Sequence, residues 1–229
     1  MTEKIARRTF VGAVGAAAVA GTSLAGAAEK AGAEGKRLRI LGISCSPRKG
    51  KTTAAALKVC LDAVKEANPA IETELVELAG MNINVYNPAA VEASQGDFPK
   101  LTPLLSDAAV AGIVIGTPVY FSGMTSLCKA FLDHCGVFRK DNFALRNKVA
   151  GVVAVGAVRN GGQELAIEGV KAALFCQEMI VVGDGRPTAH TGATVLNNGS
   201  DDISGDEFGL STVKSLGRRI AEVASLVAG

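Results

Sequence analysis

Unbroken apolar runs alternate along the chain with stretches whose apolar residues recur at helical spacing. Leu38 to Ser44 is a short β-branched and apolar run, which predicts a first strand. Thr52 to Ala67 follows with Leu57, Cys60, Leu61 and Val64 three or four residues apart, the stripe of an amphipathic helix. Ile71 to Leu78 mixes Glu and Thr into its apolar residues, as a half-exposed edge strand does. Ala79 to Pro99 carries Asn and Pro and breaks regularity, and a short helix is expected from about Leu101. Ala111 to Gly116 and Lys148 to Val158 are continuous apolar runs, read as buried strands. Helices are predicted over Ser126 to Gly136 and Gly162 to Gln177. Met179 to Val182 reads as a last strand. A closing helix, Asp206 to Val227, lines Val213, Leu216, Ile220, Val223 and Val227 along one face.

Five strands, each followed by a helix, predict a doubly wound, five-stranded parallel sheet in a three-layer α/β/α arrangement. The amphipathic second strand belongs at an edge and the apolar first, third and fourth belong inside, which fits the strand order 2-1-3-4-5. In such a sheet ligands lie at the carboxyl ends of the strands where the order reverses, here between the first and third.

Residues 1–28 do not fit this scheme. Lys4, Arg7 and Arg8 precede an Ala/Gly/Val stretch from Phe10, and small residues follow at Ala25-Gly26-Ala27. Arg7-Arg8-Thr9-Phe10-Val11 resembles a twin-arginine export signal. A membrane anchor is the competing reading, but Gly12, Gly15, Gly21, Thr22 and Ser23 weaken the stretch. Cleavage near Ala27 or Ala28 is expected, with an uncleaved tether as the remainder. Residues 29–36 read as a linker, and 37–229 as one domain. Such signals carry folded proteins through the twin-arginine translocase. The mature chain is then expected outside the cytoplasmic membrane, with a bound prosthetic group.

Charge and composition narrow the chemistry. The chain carries 24 basic and 22 acidic residues; without Lys4, Arg7, Arg8 and Glu3 the balance is 21 to 21. With no Trp and 4% aromatics as well, nucleic acid is not an expected partner. Two His and five Cys are few for a metalloprotein. Cys128 and Cys135 sit on one predicted helix about 10 Å apart, too far to bridge. Buried free thiols are expected, and His134 and His190 are read as structural or solvated.

Three loops at strand ends carry the candidate chemistry. The first, Gly42 to Thr53, offers hydroxyls at Ser44, Ser46, Thr52 and Thr53, charge at Arg48 and Lys51, and the start of a helix. Free amides and the positive helix end favour an anion there, most simply a phosphate. An ordinary turn whose hydroxyls cap the helix is the plain alternative. Gly50-Lys51-Thr52 also looks like half of a nucleotide-binding P-loop. Cys45 stands at that pattern's first glycine, however, and the strand ending at Gly116 runs into Thr-Pro rather than an Asp.

The second loop, Pro118-Val119-Tyr120-Phe121-Ser122 with Met124, can lie along a flat heterocycle, or its apolar side chains can pack in a core or subunit contact. The third, Arg159-Asn160-Gly161-Gly162, allows close backbone approach and can face an oxygen-rich ring edge, or is a solvated turn.

The segments from Gly42 to Gly50, from Gly116 to Met124 and from Gly161 to Glu164 resemble the NADPH-dependent FMN reductases, the iron–sulfur flavoprotein branch above all. The resemblance spans about Arg37 to Gly185. It implies a flavodoxin-like fold binding FMN non-covalently, as a homodimer or homotetramer with the site near a subunit interface. Carried over by position, Ser44, Ser46, Arg48, Thr52 and Thr53 would hold the FMN phosphate, with Lys51 adding charge. Pro118 to Ser122 and Met124 would line the isoalloxazine, and Arg159 to Gly162 would complete the pocket. Cys45 stands where the family usually has Gly, and Thr52 where it often has Asn. Residues 79–96 contain no Cys, whereas the iron–sulfur branch places its ligands there, so no iron–sulfur cluster is expected.

The resemblance implies an oxidoreductase whose flavin carries the chemistry, with no protein acid or base required. Nicotinamide cofactors are scarce outside the membrane. NAD(P)H is therefore expected as a reductant in vitro, with a quinol or redox protein as physiological donor and a small molecule or protein as acceptor. A flavodoxin-type electron carrier and a binding module that has lost its flavin are the other readings.

Overall fold

The computed structural model describes residues 37–89 and 96–228; the signal and linker readings for residues 1–36 lie outside the described residues. Among the described residues six parallel strands form the sheet: β1 (Arg39–Ser44), β2 (Glu72–Glu77), β3 (Val110–Pro118), β4 (Val149–Gly156), β5 (Ile180–Val181) and β6 (Ala193–Leu196). Their order is β2-β1-β3-β4-β5, and β6 pairs with β4 beyond the point where β5 stops. The expected strand order and doubly wound topology are therefore present, with one strand more than the five expected. β5 is only two residues long because Gly183, Gly185 and Pro187 lead the chain away before β6 resumes the edge.

β4 is buried along its whole length, as its unbroken Val/Ala/Gly run requires. β2 alternates exposed and half-buried residues at the edge. The helices are α1 (Thr52–Ala67), α2 (Thr102–Ser106), α3 (Ser126–His134), α4 (Val137–Lys140), α5 (Gln163–Phe175) and α6 (Glu207–Ala228). The helix expected from Leu101 shrinks to a 3-10 turn, Phe98–Lys100, followed by five α-helical residues.

One face of the sheet, through Ile40, Val114, Val149 and Val153, packs against Leu57, Cys60 and Val64 of α1 and Val213, Leu216 and Ile220 of α6. The other, through Leu41, Ile43, Ile113, Ile115 and Val152, meets α3 and α5. Each such fully buried Leu or Ile contributes about 1.5–3 kcal/mol. α1 and α6 approach so closely that any side chain at Gly217 would strike the carbonyl of Cys60. Parallel register sets Ser44 beside Gly116 and Pro118 beside Val155, so β1, β3 and β4 release their loops at one sheet edge. Both long helices begin at that edge, and their positive ends face it.

Candidate functional site

The first loop leaves β1 at Ser44 and enters α1 at Thr52. Its shape is held from both sides. The Cys45 amide donates to the Gly116 carbonyl at 2.8 Å, and the Gly50 amide donates to Glu77 Oε2 at 2.7 Å. Ser46 Oγ accepts the Arg48 amide at 3.1 Å, which tightens the turn. Gly50 has φ +66°, a conformation that glycine adopts without strain.

No side chain caps α1, so the plain reading of the loop as a hydroxyl-capped turn does not describe it. The amides of Thr52, Thr53 and Ala54 have no intrahelical acceptor. Ser44, Ser46, Thr52 and Thr53 are all buried at this helix end, and Ser44 Oγ has no hydrogen-bond partner among the described residues. A buried hydroxyl without a partner costs about 1–3 kcal/mol unless a ligand satisfies it. Uncapped amides, an unpaired hydroxyl and two nearby cations form a donor-rich cradle that fits a phosphate group.

The second loop continues β3. The Val119 amide donates to the Val155 carbonyl at 2.9 Å, and Tyr120 and Gly123 exchange amide–carbonyl bonds of 2.9 and 3.0 Å. The two residues between them, Phe121 and Ser122, have φ of 49° and 62°. Left-handed backbone at two non-glycine residues is costly, and a tight primed turn that aims Phe121 outward is what it achieves here. The Phe121 side chain is fully exposed and Tyr120 half-exposed, which removes the alternative that they fill this chain's core. Met124 behaves otherwise: it packs into the core, and its Cε would lie 3.0 Å from a Cβ at Gly169 on α5.

The third loop is braced by Gln163. Its Oε1 accepts the Gly161 amide and its Nε2 donates to the Val158 carbonyl, both at 2.8 Å. Gly162 has φ +103°, and a Cβ there would lie 2.5 Å from Ser122 Cα. The second and third loops therefore touch backbone to backbone. Arg159 pairs with Asp206, whose carboxylate also accepts the Leu196 and Gly209 amides at 2.7 and 3.0 Å. Its guanidinium lies 5.8 Å from the Phe208 ring. Asn160, at φ 58°, forms the turn itself.

Thr125 was not singled out in the sequence, yet it joins the parts. Its Oγ1 donates to the Cys45 carbonyl at 2.9 Å and accepts the Cys128 amide at 3.1 Å as the cap of α3. Its own amide donates to Thr117 Oγ1 at 3.2 Å. A Thr immediately before a helical stripe is a capping signal that could have marked it. Asp201 is the other unforeseen residue: it pairs with Arg48 at 2.7 Å and with Lys51 at 3.3 Å.

All five cysteines are free, and only Cys176 is exposed. Burial pushes the Cys45 thiol well up, and its hydrogen bond to Cys128 adds to the shift. Burial alone raises Cys60 to about 12. Thiolates are the reactive form, so Cys45, fully buried, behaves as inert packing. Ellman's reagent should therefore modify Cys176 alone in the folded chain, and all five thiols after denaturation; fast modification of Cys45 would contradict this. His134 is buried, bonded at 2.9 Å to the Asn84 carbonyl and stacked on Phe98. His190 is half-exposed beside the buried Asp184.

Residues 38–194 match the model of the NADPH-dependent FMN reductase family. The chain belongs to that family. An iron–sulfur flavoprotein of Methanocaldococcus jannaschii is 38% identical over 194 residues, covering 83% of this chain and 99% of that protein. Among solved structures, RosB with a bound flavin-phosphate intermediate superposes with a TM-score of 0.64 at 16% identity, over 82% of this chain and 79% of RosB. A flavodoxin-like, WrbA-like protein of Agrobacterium tumefaciens gives 0.56 at 17% identity, over 83% and 98%. These likenesses establish the flavodoxin-like fold. Residues 195–228, with Asp201 and α6, lie beyond the family match.

Proposed function

We propose that the chain is an exported FMN-binding oxidoreductase. The observation that carries this reading is the uncapped start of α1 with the buried, unpartnered Ser44 hydroxyl beside it. Ser44, Ser46, Thr52 and Thr53, with the adjoining amides, would hold the phosphate, and Arg48 and Lys51 would balance its charge. Pro118 to Ser122 offer one face to the isoalloxazine, and Gly161 and Gly162 let the third loop close beside them. Bound there, FMN supplies hydride and electron transfer; this chain supplies binding, orientation and shielding from water. Met124 and Arg159 act from behind, one by packing and the other by anchoring the third loop to α6.

Export through the twin-arginine translocase, on Arg7-Arg8, makes a quinol or redox protein the physiological donor and leaves NAD(P)H as an in vitro reductant. The lack of Cys in residues 79–96 supports a site without an iron–sulfur cluster, unlike the relatives named for one. Exposed Phe121, Tyr120, Val158 and Leu165 around the second and third loops support a homodimer or homotetramer closing over the flavin.

A Ser44→Ala chain separates cofactor binding from stability. Removing an unpaired buried hydroxyl should make the flavin-free chain more stable, by about 1–3 kcal/mol. FMN affinity should fall about three- to tenfold, the loss of one neutral hydrogen bond. Calorimetric melting without flavin and a fluorescence titration with FMN check the two halves. Unchanged affinity would remove Ser44 from the site.

A further inference from the structure

Between β6 and α6 the chain makes an excursion, residues 197–205, that returns to the first loop. The Asn197 amide donates to the Gly156 carbonyl at 3.0 Å, fastening the start of the segment to the end of β4. Asn198, Gly199 and Asp201 have φ between 49° and 73°, which folds the segment tightly. Ile203 is buried against the cluster shared by α1 and α6, and Asp206 ends the segment by accepting the Gly209 amide on α6. The tip carries Asp201, whose two oxygens meet Arg48 and Lys51.

Those are two of the three cations, Lys49 being the other, in the turn before the uncapped start of α1. Glu77 grips the same loop from the β2 side through the Gly50 amide, so the loop is clamped between carboxylates from opposite ends of the sheet order.

We propose that Asp201 is a positioning residue that latches segment 197–205 across the phosphate-binding loop, slowing both uptake and release of the phosphate-bearing cofactor. This rests on the FMN reading above. Arg48 and Lys51 are about half exposed, and free they would sample many rotamers; a shared carboxylate holds both beside the helix end. The trio keeps a net charge of +1, so a phosphate dianion is still attracted while one anion already stands at the rim. The hydrogen bonds from Arg48, then Lys51, hold the Asp201 carboxyl below the usual range, so it stays charged wherever ordinary carboxylates do. A chain that takes its cofactor in one compartment and works in another has reason to release it slowly.

The test compares the full-length wild-type chain with Asp201→Asn and Asp201→Glu. FMN uptake and release are followed by stopped-flow fluorescence, and amide exchange across 197–205 is measured without flavin. Asp201→Asn should speed release about fivefold and uptake by a similar factor, leaving Kd within about threefold, because two half-exposed ion pairs are lost. Asp201→Glu should restore most of the slow release. Exchange at residues 197–205 should rise in Asp201→Asn alone. Unchanged rates with unchanged exchange would overturn the latch. Slower release and tighter binding in Asp201→Asn would also overturn it, making Asp201 a mere competitor for the cations. A wild-type chain that takes up no FMN, yet shows faster exchange in Asp201→Asn, would sink the flavin reading while the latch on the loop stood.

Discussion

A Gly162→Val chain is expected to lose flavin binding and about 2–6 kcal/mol of stability. Two effects add. Valine would have to adopt φ +103°, a region that β-branched residues avoid, at a cost of about 1–3 kcal/mol. Its Cβ would also sit 2.5 Å from Ser122 Cα, a backbone atom that cannot swing aside as a side-chain tip would. Relief requires the second and third loops to part, at about 1–3 kcal/mol for overpacking. The surface proposed to face the isoalloxazine parts with them. Thermal melting and FMN titration of the variant measure both losses. A Gly162→Val chain of wild-type stability and affinity would show that the two loops do not meet as described.

Thr125→Val should cost about 2–4 kcal/mol, although the side chains have nearly the same shape. The hydroxyl serves the Cys45 carbonyl and the Cys128 amide at once, and both are buried. Each loses its partner, and α3 loses its cap, at a place where Cys45, Thr125 and Cys128 are all buried. For a domain of this size the melting temperature should drop by about 5–15 °C. Thr125→Ser keeps the hydroxyl and should stay within about 1 kcal/mol of wild type, which separates the hydrogen bonds from the lost methyl group. Equal melting of the Val and Ser variants would contradict the role given to Thr125. FMN affinity should also fall in the Val variant, since the first loop is then no longer tied to the second.

The parts of the fold that were readable from sequence are those with a strong local pattern. The stripes of α1 and α6 and the buried runs of β3 and β4 each carry enough apolar residues to declare a period. β6 carries four residues, Ala-Thr-Val-Leu, half of them buried, after a stretch punctuated by Pro187 and Gly192. Nothing local distinguishes it from loop; it is a strand because β5 ends at Val181 and leaves that side of Val153 to Gly156 of β4 open for β6.

The site divides in the same way. Hydroxyls and cations clustered in one turn are visible in sequence order, and so is the Pro-aromatic-Gly turn of the second loop. Arg159 looked available for a ring edge, because its partner Asp206 lies 47 residues further on. Asp201 is separated from Arg48 by about 150 residues and sits in an Asn-Asn-Gly-Ser-Asp-Asp turn that reads as ordinary surface. Long-range electrostatic partners leave no periodicity to detect. They follow only from the parallel packing of α1 beside α6, which brings both helix starts to one edge.

The three loops are proposed to hold FMN together. The full-length chain, produced in a cytoplasm and purified, should show a flavin absorption spectrum, and denaturation should release FMN in equal molar amount to the chain. A colourless protein that also fails to take up added FMN would contradict the account, and the cradle at the start of α1 would then belong to a different phosphate-bearing ligand.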